Sequence, residues 1–228
     1  DRYGDVGEYL RLELKLCFRN KTVKTQFRMG FIIMLAFSAL IAFTDVYDGT
    51  GMINFICIYN FAILSIMTLG QVMSFEGNYL DGLMSRKESI YNLLRAKYYL
   101  NCIIVFIPFL IMMIPVAKGK IPFLMALSYM LFTAGFVFAM MLQLAVYNKK
   151  TLPLNANVMQ TIIISCAFFL PLIINKALTA FFEQDTACII MMIIGLLLIA
   201  THNIWIKNIY NRFMKRRYEN MEGFRDSR

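Results

Sequence analysis

Residues Ile121 to Tyr147 read IPFLMALSYMLFTAGFVFAMMLQLAVY, a run of 27 residues without a single Asp, Glu, Lys or Arg. A helix of about 20 apolar residues is long enough to cross a hydrocarbon core of about 30 Å. Lipid offers no hydrogen bonds to an open backbone, so a segment of this kind crosses the membrane as a helix. The run therefore predicts a transmembrane helix and indicates a membrane protein.

Further apolar runs lie on both sides of this segment. They are Met29 to Thr44, Met52 to Ser74, Tyr98 to Ala117, Val158 to Ile174 and Ala187 to Ile206. We therefore predict an all-α polytopic membrane protein with six transmembrane helices, forming a single domain over residues 1–228. Because the chain opens on Asp1 rather than on Met, we also expect it to be a portion of a longer polypeptide.

The composition indicates the same class. Of the 228 residues, 59% are hydrophobic and 16% are charged, whereas a soluble domain has about 45–50% and about 25%. This excludes a soluble globule and a disordered chain. The five cysteines are widely spaced and form no C-x-x-C motif, so we expect neither a zinc site nor a disulfide framework.

The net charge of +9 is distributed unequally between the segments on the two sides of the membrane. Residues 1–28, residues 75–97, the pair Lys149 and Lys150, and residues 207–228 together hold 20 Lys and Arg, and the alternate connections hold 3. Positive residues accumulate on the cytoplasmic side. We therefore expect both termini in the cytoplasm, a location in the bacterial inner membrane, and no nucleic-acid partner.

Two segments outside the spans are too apolar for ordinary loops. In residues 1–28, apolar Leu10, Leu14, Cys17 and Phe18 follow one helical stripe and basic residues follow another, which favours a helix in the headgroup layer that binds phospholipid. The strict alternation of leucines from Leu10 to Leu16 is also typical of a strand; the neighbouring span favours the helix. Residues 175–186 follow a short fifth span, so we expect an external re-entrant loop there.

Catalytic patterns are missing from the sequence. His202 is the only histidine, and no phosphate-binding loop, G-x-S-x-G or H-E-x-x-H motif is present. We therefore expect no enzymatic activity, no metal and no cofactor. Polar residues inside the spans could instead line a translocation path, or could simply bond neighbouring helices. The candidates are Asn60, Gln71, Gln143, Gln160 and His202.

The connection between the second and third spans, residues 75–97, has more sequence features that suggest a function than any other segment. An amphipathic stretch is followed by the polar break Ser85-Arg-Lys-Glu88, and a helical pattern restarts at Ser89. Acidic residues stand near its beginning, at a depth where charge is costly. The segment is either a solvated connector with an interfacial helix or a docking surface for a cytoplasmic partner.

At these residues the chain resembles the type 2 permeases of ATP-binding-cassette (ABC) exporters. The stretches SFEGNYLDGLM, from Ser74, and LRAKYY, from Leu94, also resemble uncharacterised permease-like membrane proteins of Bacteroidota. In the permease family this connection carries a coupling helix that fits the ATPase subunit, and a re-entrant helical pair separates the last two spans. The resemblance implies ATPase coupling through six residues: Glu76, Tyr79, Asp81, Arg86, Glu88 and Tyr91.

The resemblance therefore implies a permease subunit of an ATP-driven exporter, whose ATP is hydrolysed by a separate ABC ATPase subunit. A second six-span unit, either a repeat within a longer chain or another copy, would complete the transporter. The alternative is a non-transport membrane scaffold that recruits a cytoplasmic partner through the same connection. The scarcity of charges inside the spans favours an amphipathic cargo over a small ion.

Overall fold

The computed structural model describes residues 4–45, 51–74, 76, 82, 90–149 and 158–226. The described residues are helical and contain no strand. The helices are α1 (Gly4–Arg19), α2 (Lys21–Phe43), α3 (Met52–Leu69), α4 (Ile90–Ile104), α5 (Phe106–Ala117), α6 (Phe123–Phe132), a π-helical turn (Thr133–Val137), α7 (Phe138–Leu142), α8 (Leu144–Tyr147), α9 (Val158–Phe181), α10 (Gln184–Ala200), α11 (His202–Lys215) and α12 (Arg217–Asp226).

These helices confirm the predicted class, an all-α multi-pass membrane protein. Helices α2, α3 and α9 are each long and apolar enough to span a membrane, as are the combined α4–α5 (Ile90–Ala117) and α6–α8 (Phe123–Tyr147). Helices α10 and α11 pass the same test only together, and they are bent by 61°. The described residues therefore hold five candidate spans, or six if the bent pair forms one span.

The sixth predicted span, Ala187 to Ile206, contains a bend and is formed by two helices, α10 and α11. Helix α10 ends at Ala200, and two side chains that follow it bond its last carbonyls. The Thr201 hydroxyl donates to the Leu197 carbonyl at 2.8 Å, and the Trp205 indole N–H donates to the Leu198 carbonyl at 2.9 Å. Helix α11 then starts in a new direction.

The expected re-entrant loop at residues 175–186 is also corrected. Helix α9 continues without interruption to Phe181, and α10 begins at Gln184. Pro171 lies inside α9 and does not end it. Asn175 is buried within α9, so this part of the chain is the end of one long helix and the start of the next.

Helix α1 is helical as predicted, but its apolar residues do not share one face. Leu10 and Cys17 pack against a cluster that includes Met34, whereas Leu14 and Phe18 are exposed, the latter by 75%. The inner face of α1 packs against α4 and α2. This inner face also buries one acidic residue, Glu13, which the sequence pattern had not singled out.

A close helix crossing organises the core between the π-helical turn and α10. A Cβ atom built on Gly135 would lie 2.5 Å from the Gly195 carbonyl oxygen, and one built on Gly195 would lie 2.6 Å from the backbone of Leu131. Only glycine leaves room for backbones at this separation. Gly135 and Gly195 therefore face each other at this crossing.

Two ion pairs each join two segments outside the spans. If successive spans cross the membrane in alternating directions, the two segments of each pair lie on the same side of the membrane. Lys120, after the third span, pairs with Asp45, after the first; this contact holds the pKa of the Asp45 carboxyl below its usual range. Lys149, after the fourth span, pairs with Glu219 of the C-terminal helix α12. Hydrogen bonds from Arg216 and Lys149 lower the pKa of Glu219 to about 2.

Candidate functional site

A buried ion cluster lies where the first, third and fourth helices meet. The Lys97 ammonium is 2.8 Å from the Glu13 carboxylate and 2.7 Å from Glu76 Oε1. The exposed fractions of Lys97, Glu13 and Glu76 are 6%, 7% and 1%. Ions removed from water to this degree depend on their partners, because each isolated charge would cost several kcal/mol. We call these three residues the Lys97 cluster.

Three separate parts of the chain supply this cluster. Glu13 comes from the inner face of α1, and Lys97 comes from the third turn of α4. Glu76 follows α3, after a series of turns in which Met73 adopts a positive φ of 65°. This conformation is uncommon for a residue with a side chain, and Met73 is fully buried, so packing stabilises the turn that leads to Glu76.

The cluster holds two carboxylates against one ammonium. Burial raises the pKa of the Glu13 carboxyl, Lys97 opposes this shift, and the negative charge of Glu76 adds to it. Glu76 Oε2 is buried and has no hydrogen-bond partner among the described residues. The Glu13 carboxyl therefore has a stronger affinity for a proton than an exposed glutamate has.

A small cavity adjoins the cluster, lined in part by Glu13, Cys17 and Lys97. Its volume of about 20 Å³ is enough for one water molecule. On its far side, the Thr68 hydroxyl donates to Asn101 Oδ1 at 2.6 Å, and the Asn101 amide donates to the Lys97 carbonyl at 2.8 Å. The end of α3 is thereby bonded to the same turn of α4 that carries Lys97.

The predicted ATPase-coupling residues are only partly within the described structure. Tyr79, Asp81, Arg86 and Glu88 lie outside the described residues. Glu76 is buried against Lys97, which corrects its expected role as a surface contact, because a side chain exposed by 1% presents no surface to a partner.

Tyr91, the last of the predicted coupling residues, is half-buried at the start of α4. Its ring lies edge-on to Tyr210 of α11, with 5.9 Å between the ring centroids, and the Arg95 guanidinium lies over the same ring. Tyr91 thus connects the end of the second connection to the C-terminal part of the chain.

The five candidate path residues are held by different neighbours. The Asn60 amide donates to the Ser38 hydroxyl at 2.7 Å, and the Gln143 carbonyl oxygen accepts from Arg212 at 3.1 Å. These contacts tie helices to one another, which is the alternative role that the sequence left open.

The other three path residues have their own surroundings. Gln160 bonds Asn148, and Gln71 is buried in the turns after α3. The His202 ring is fixed at the start of α11, between the Tyr99 hydroxyl and the Ile199 carbonyl, both at 2.8 Å. The described structure does not gather the five residues around one cavity.

Glu13 and Lys97 are not among the site residues predicted from the sequence. One signal could have revealed Glu13. It shares a helical face with the apolar residues Leu10 and Cys17, at spacings of three and four, and an acidic residue on an apolar face requires a basic partner. Among the described residues, no three His, Cys, Asp or Glu side chains are grouped so that they could hold a metal ion.

The helices and the Lys97 cluster define a multi-pass membrane protein with a charged junction at one end of its spans. Residues 1–227 match a family described as a family of unknown function (DUF5687), and the chain belongs to that family. No curated protein matches the chain. No solved structure matches it either.

Proposed function

We propose that this chain is the membrane-spanning permease unit of an ATP-driven exporter in the bacterial inner membrane. A separate ABC ATPase would dock on the connection between the second and third spans, residues 75–97. The observation that supports the proposal best is the Lys97 cluster, which fastens both ends of this connection to α1.

The Lys97 cluster couples the two ends of the connection mechanically. Glu76 stands at the beginning of the connection and Lys97 at its end, 21 residues apart, and both are bonded through one ammonium. A partner that pulls on the intervening residues therefore moves the ends of α3 and α4 together, with α1 attached. Packed helices respond to such a force by tilting as rigid bodies, which is the response a transport cycle needs.

A non-transport scaffold is the second candidate, and the packing of polar residues favours it. Asn60 is fully buried and bonded to Ser38 and Met112, so it stabilises helix contacts within this chain. A transport path would then require a second six-span unit, with the path between the two units. The scaffold and the permease share the docking connection and differ in whether cargo moves.

The test uses the full chain, purified in mild detergent from the membranes of its own host. We expect an ABC ATPase subunit to co-purify, and we expect the double charge reversal Arg86→Glu/Glu88→Arg to reduce its recovery by at least ten-fold. The matched control is Glu222→Arg, which changes an exposed residue of α12 and should leave recovery unchanged. Absence of an ATPase, or equal recovery with the double reversal, would contradict the coupling proposal.

A transport assay separates the two candidates. Inverted membrane vesicles containing the chain and its ATPase expose their cytoplasmic face to the medium. ATP is added to that medium, and the uptake of an amphipathic fluorescent dye is followed. The permease predicts ATP-dependent accumulation that the double reversal abolishes. A scaffold predicts that a bound cytoplasmic partner is recovered while ATP-dependent accumulation stays at the level of vesicles without the chain.

A further inference from the structure

The lengths of α10 and α11 and the bend between them indicate that α11 begins near the membrane surface. The 17 residues of α10 extend about 25 Å at 1.5 Å per residue, close to the thickness of a hydrocarbon core. The bend of 61° then makes α11 advance across the membrane by only about half its length. Its 14 residues therefore traverse about 10 Å, which is comparable to the headgroup region.

One face of α11 is buried and the opposite face is basic. Ile206, Ile209 and Phe213 point into the protein core. The opposite face, at spacings of three and four, consists of exposed residues, and we call it the α11 outer face: Ile204, Lys207, Asn208, Asn211 and Lys215. No Asp or Glu occurs in α11, so its lysines have no acidic neighbour on their own helix.

The mixture of residues on the α11 outer face favours lipid over a protein partner. Ile204 is 72% exposed and stands directly before Trp205, the only tryptophan in the chain. Tryptophan is enriched at the boundary between headgroups and hydrocarbon. In a headgroup layer, an exposed isoleucine can contact the hydrocarbon while the lysines contact the phosphate groups. At a water-filled interface with an acidic protein, the isoleucine would remain exposed to water.

We propose that the α11 outer face lies in the cytoplasmic headgroup layer and binds anionic phospholipid. Lys207 and Lys215 lie eight residues, about two turns, apart on this face and would contact phosphate groups, with the Asn208 and Asn211 amides as additional donors. The proposal goes beyond the proposed function and does not depend on it, because a scaffold and a permease would both be fixed to the lipid surface in this way.

Trp205 supplies a local probe for the test. The full chain is reconstituted in vesicles of phosphatidylcholine and phosphatidylglycerol at equal mole fractions, and one lipid at a time carries bromine atoms, which quench nearby tryptophan. The ratio of quenching by the two brominated lipids reports which lipid occupies the surface beside α11. We expect brominated phosphatidylglycerol to quench more strongly in the wild-type chain.

The variant Lys207→Gln/Lys215→Gln should remove this preference. Each basic residue near an anionic membrane surface contributes about a five-fold preference, so the double variant should lower the relative affinity for phosphatidylglycerol by at least about five-fold. The matched control is Lys118→Gln/Lys176→Gln, which removes two exposed charges from the opposite end of the spans. The control should retain the wild-type quenching ratio.

Two outcomes would overturn the proposal. The first is equal quenching by the two lipids in the wild-type chain, and the second is an unchanged ratio in the Lys207→Gln/Lys215→Gln variant. If that variant also loses a co-purifying ATPase, the α11 outer face is assigned to a protein partner instead. Because the assay contains only the chain and lipid, its result is independent of whether the chain transports anything.

Discussion

Replacement of Lys97 by methionine provides the sharpest test of the buried ion cluster. Methionine retains much of the apolar stem of lysine and removes the ammonium. Glu13 and Glu76 then remain as two buried carboxylates, without the charge that is 2.8 Å and 2.7 Å from them. Removal of one partner of a buried ion pair typically costs about 3–5 kcal/mol.

The cost can also be worked from proton binding. Without Lys97, a buried carboxylate must take up a proton to lose its charge. For a glutamate with an ordinary pKa of about 4.3, protonation at pH 7 costs about 3.7 kcal/mol, and at pH 5 it costs about 1 kcal/mol. A loss of about 3.7 kcal/mol corresponds to a fall of roughly 7–15 °C in melting temperature for a chain of this size. The deficit should therefore shrink on acidification.

The assay is thermal unfolding of the detergent-solubilised chain at pH 7 and pH 5. The triple variant Lys97→Met/Glu13→Gln/Glu76→Gln should recover most of the lost stability, because it leaves no uncompensated charge buried. The control Lys24→Met removes an exposed lysine and should melt within about 2 °C of the wild type. The reasoning is refuted if Lys97→Met also melts within 2 °C of the wild type at pH 7, or if its deficit is the same at pH 5.

The remaining predictions concern the pH dependence, the packing and the orientation. Because burial raises the pKa of Glu13, the wild-type melting temperature should fall as pH rises above the ordinary glutamate range, and Glu13→Gln should flatten that profile. Gly195→Ala should lower the free energy of unfolding by about 1–3 kcal/mol because its Cβ would meet backbone, whereas Gly51→Ala, with open space around it, should not lower it. Denaturant unfolding measures both variants, and equal losses would contradict the packing argument. In a chain without native cysteines, Lys118→Cys should react with a membrane-impermeant maleimide in intact cells and Lys207→Cys only after permeabilisation; the reverse pattern would invert the topology.

The membrane class and the span positions could be predicted from the sequence because they depend on local composition. An uncharged run such as Ile121 to Tyr147 has only one stable arrangement in lipid, and the structure places helices from Phe123 to Tyr147. The end of the sixth span could not be predicted in the same way. The polar residues Thr201, His202 and Asn203 follow Ala200, but they do not specify a bend. At the bend the Trp205 indole N–H, rather than a backbone N–H, bonds the Leu198 carbonyl. Competition of this kind is invisible in a hydropathy pattern.

The Lys97 cluster shows where sequence reasoning about the site reaches its limit. A pattern on α1 indicates that Glu13 shares a face with apolar residues, and Lys97 is visible at the start of the third span, but 84 residues separate them. Their pairing depends on how α1 packs against α4, which no local pattern specifies. The burial of Glu76 could not be predicted either. Its position in the connection suggested a surface contact, whereas the turn at Met73 places it in a buried site against Lys97. The connection is therefore anchored by its charged ends, and any surface that it offers to a partner has to come from the residues between them.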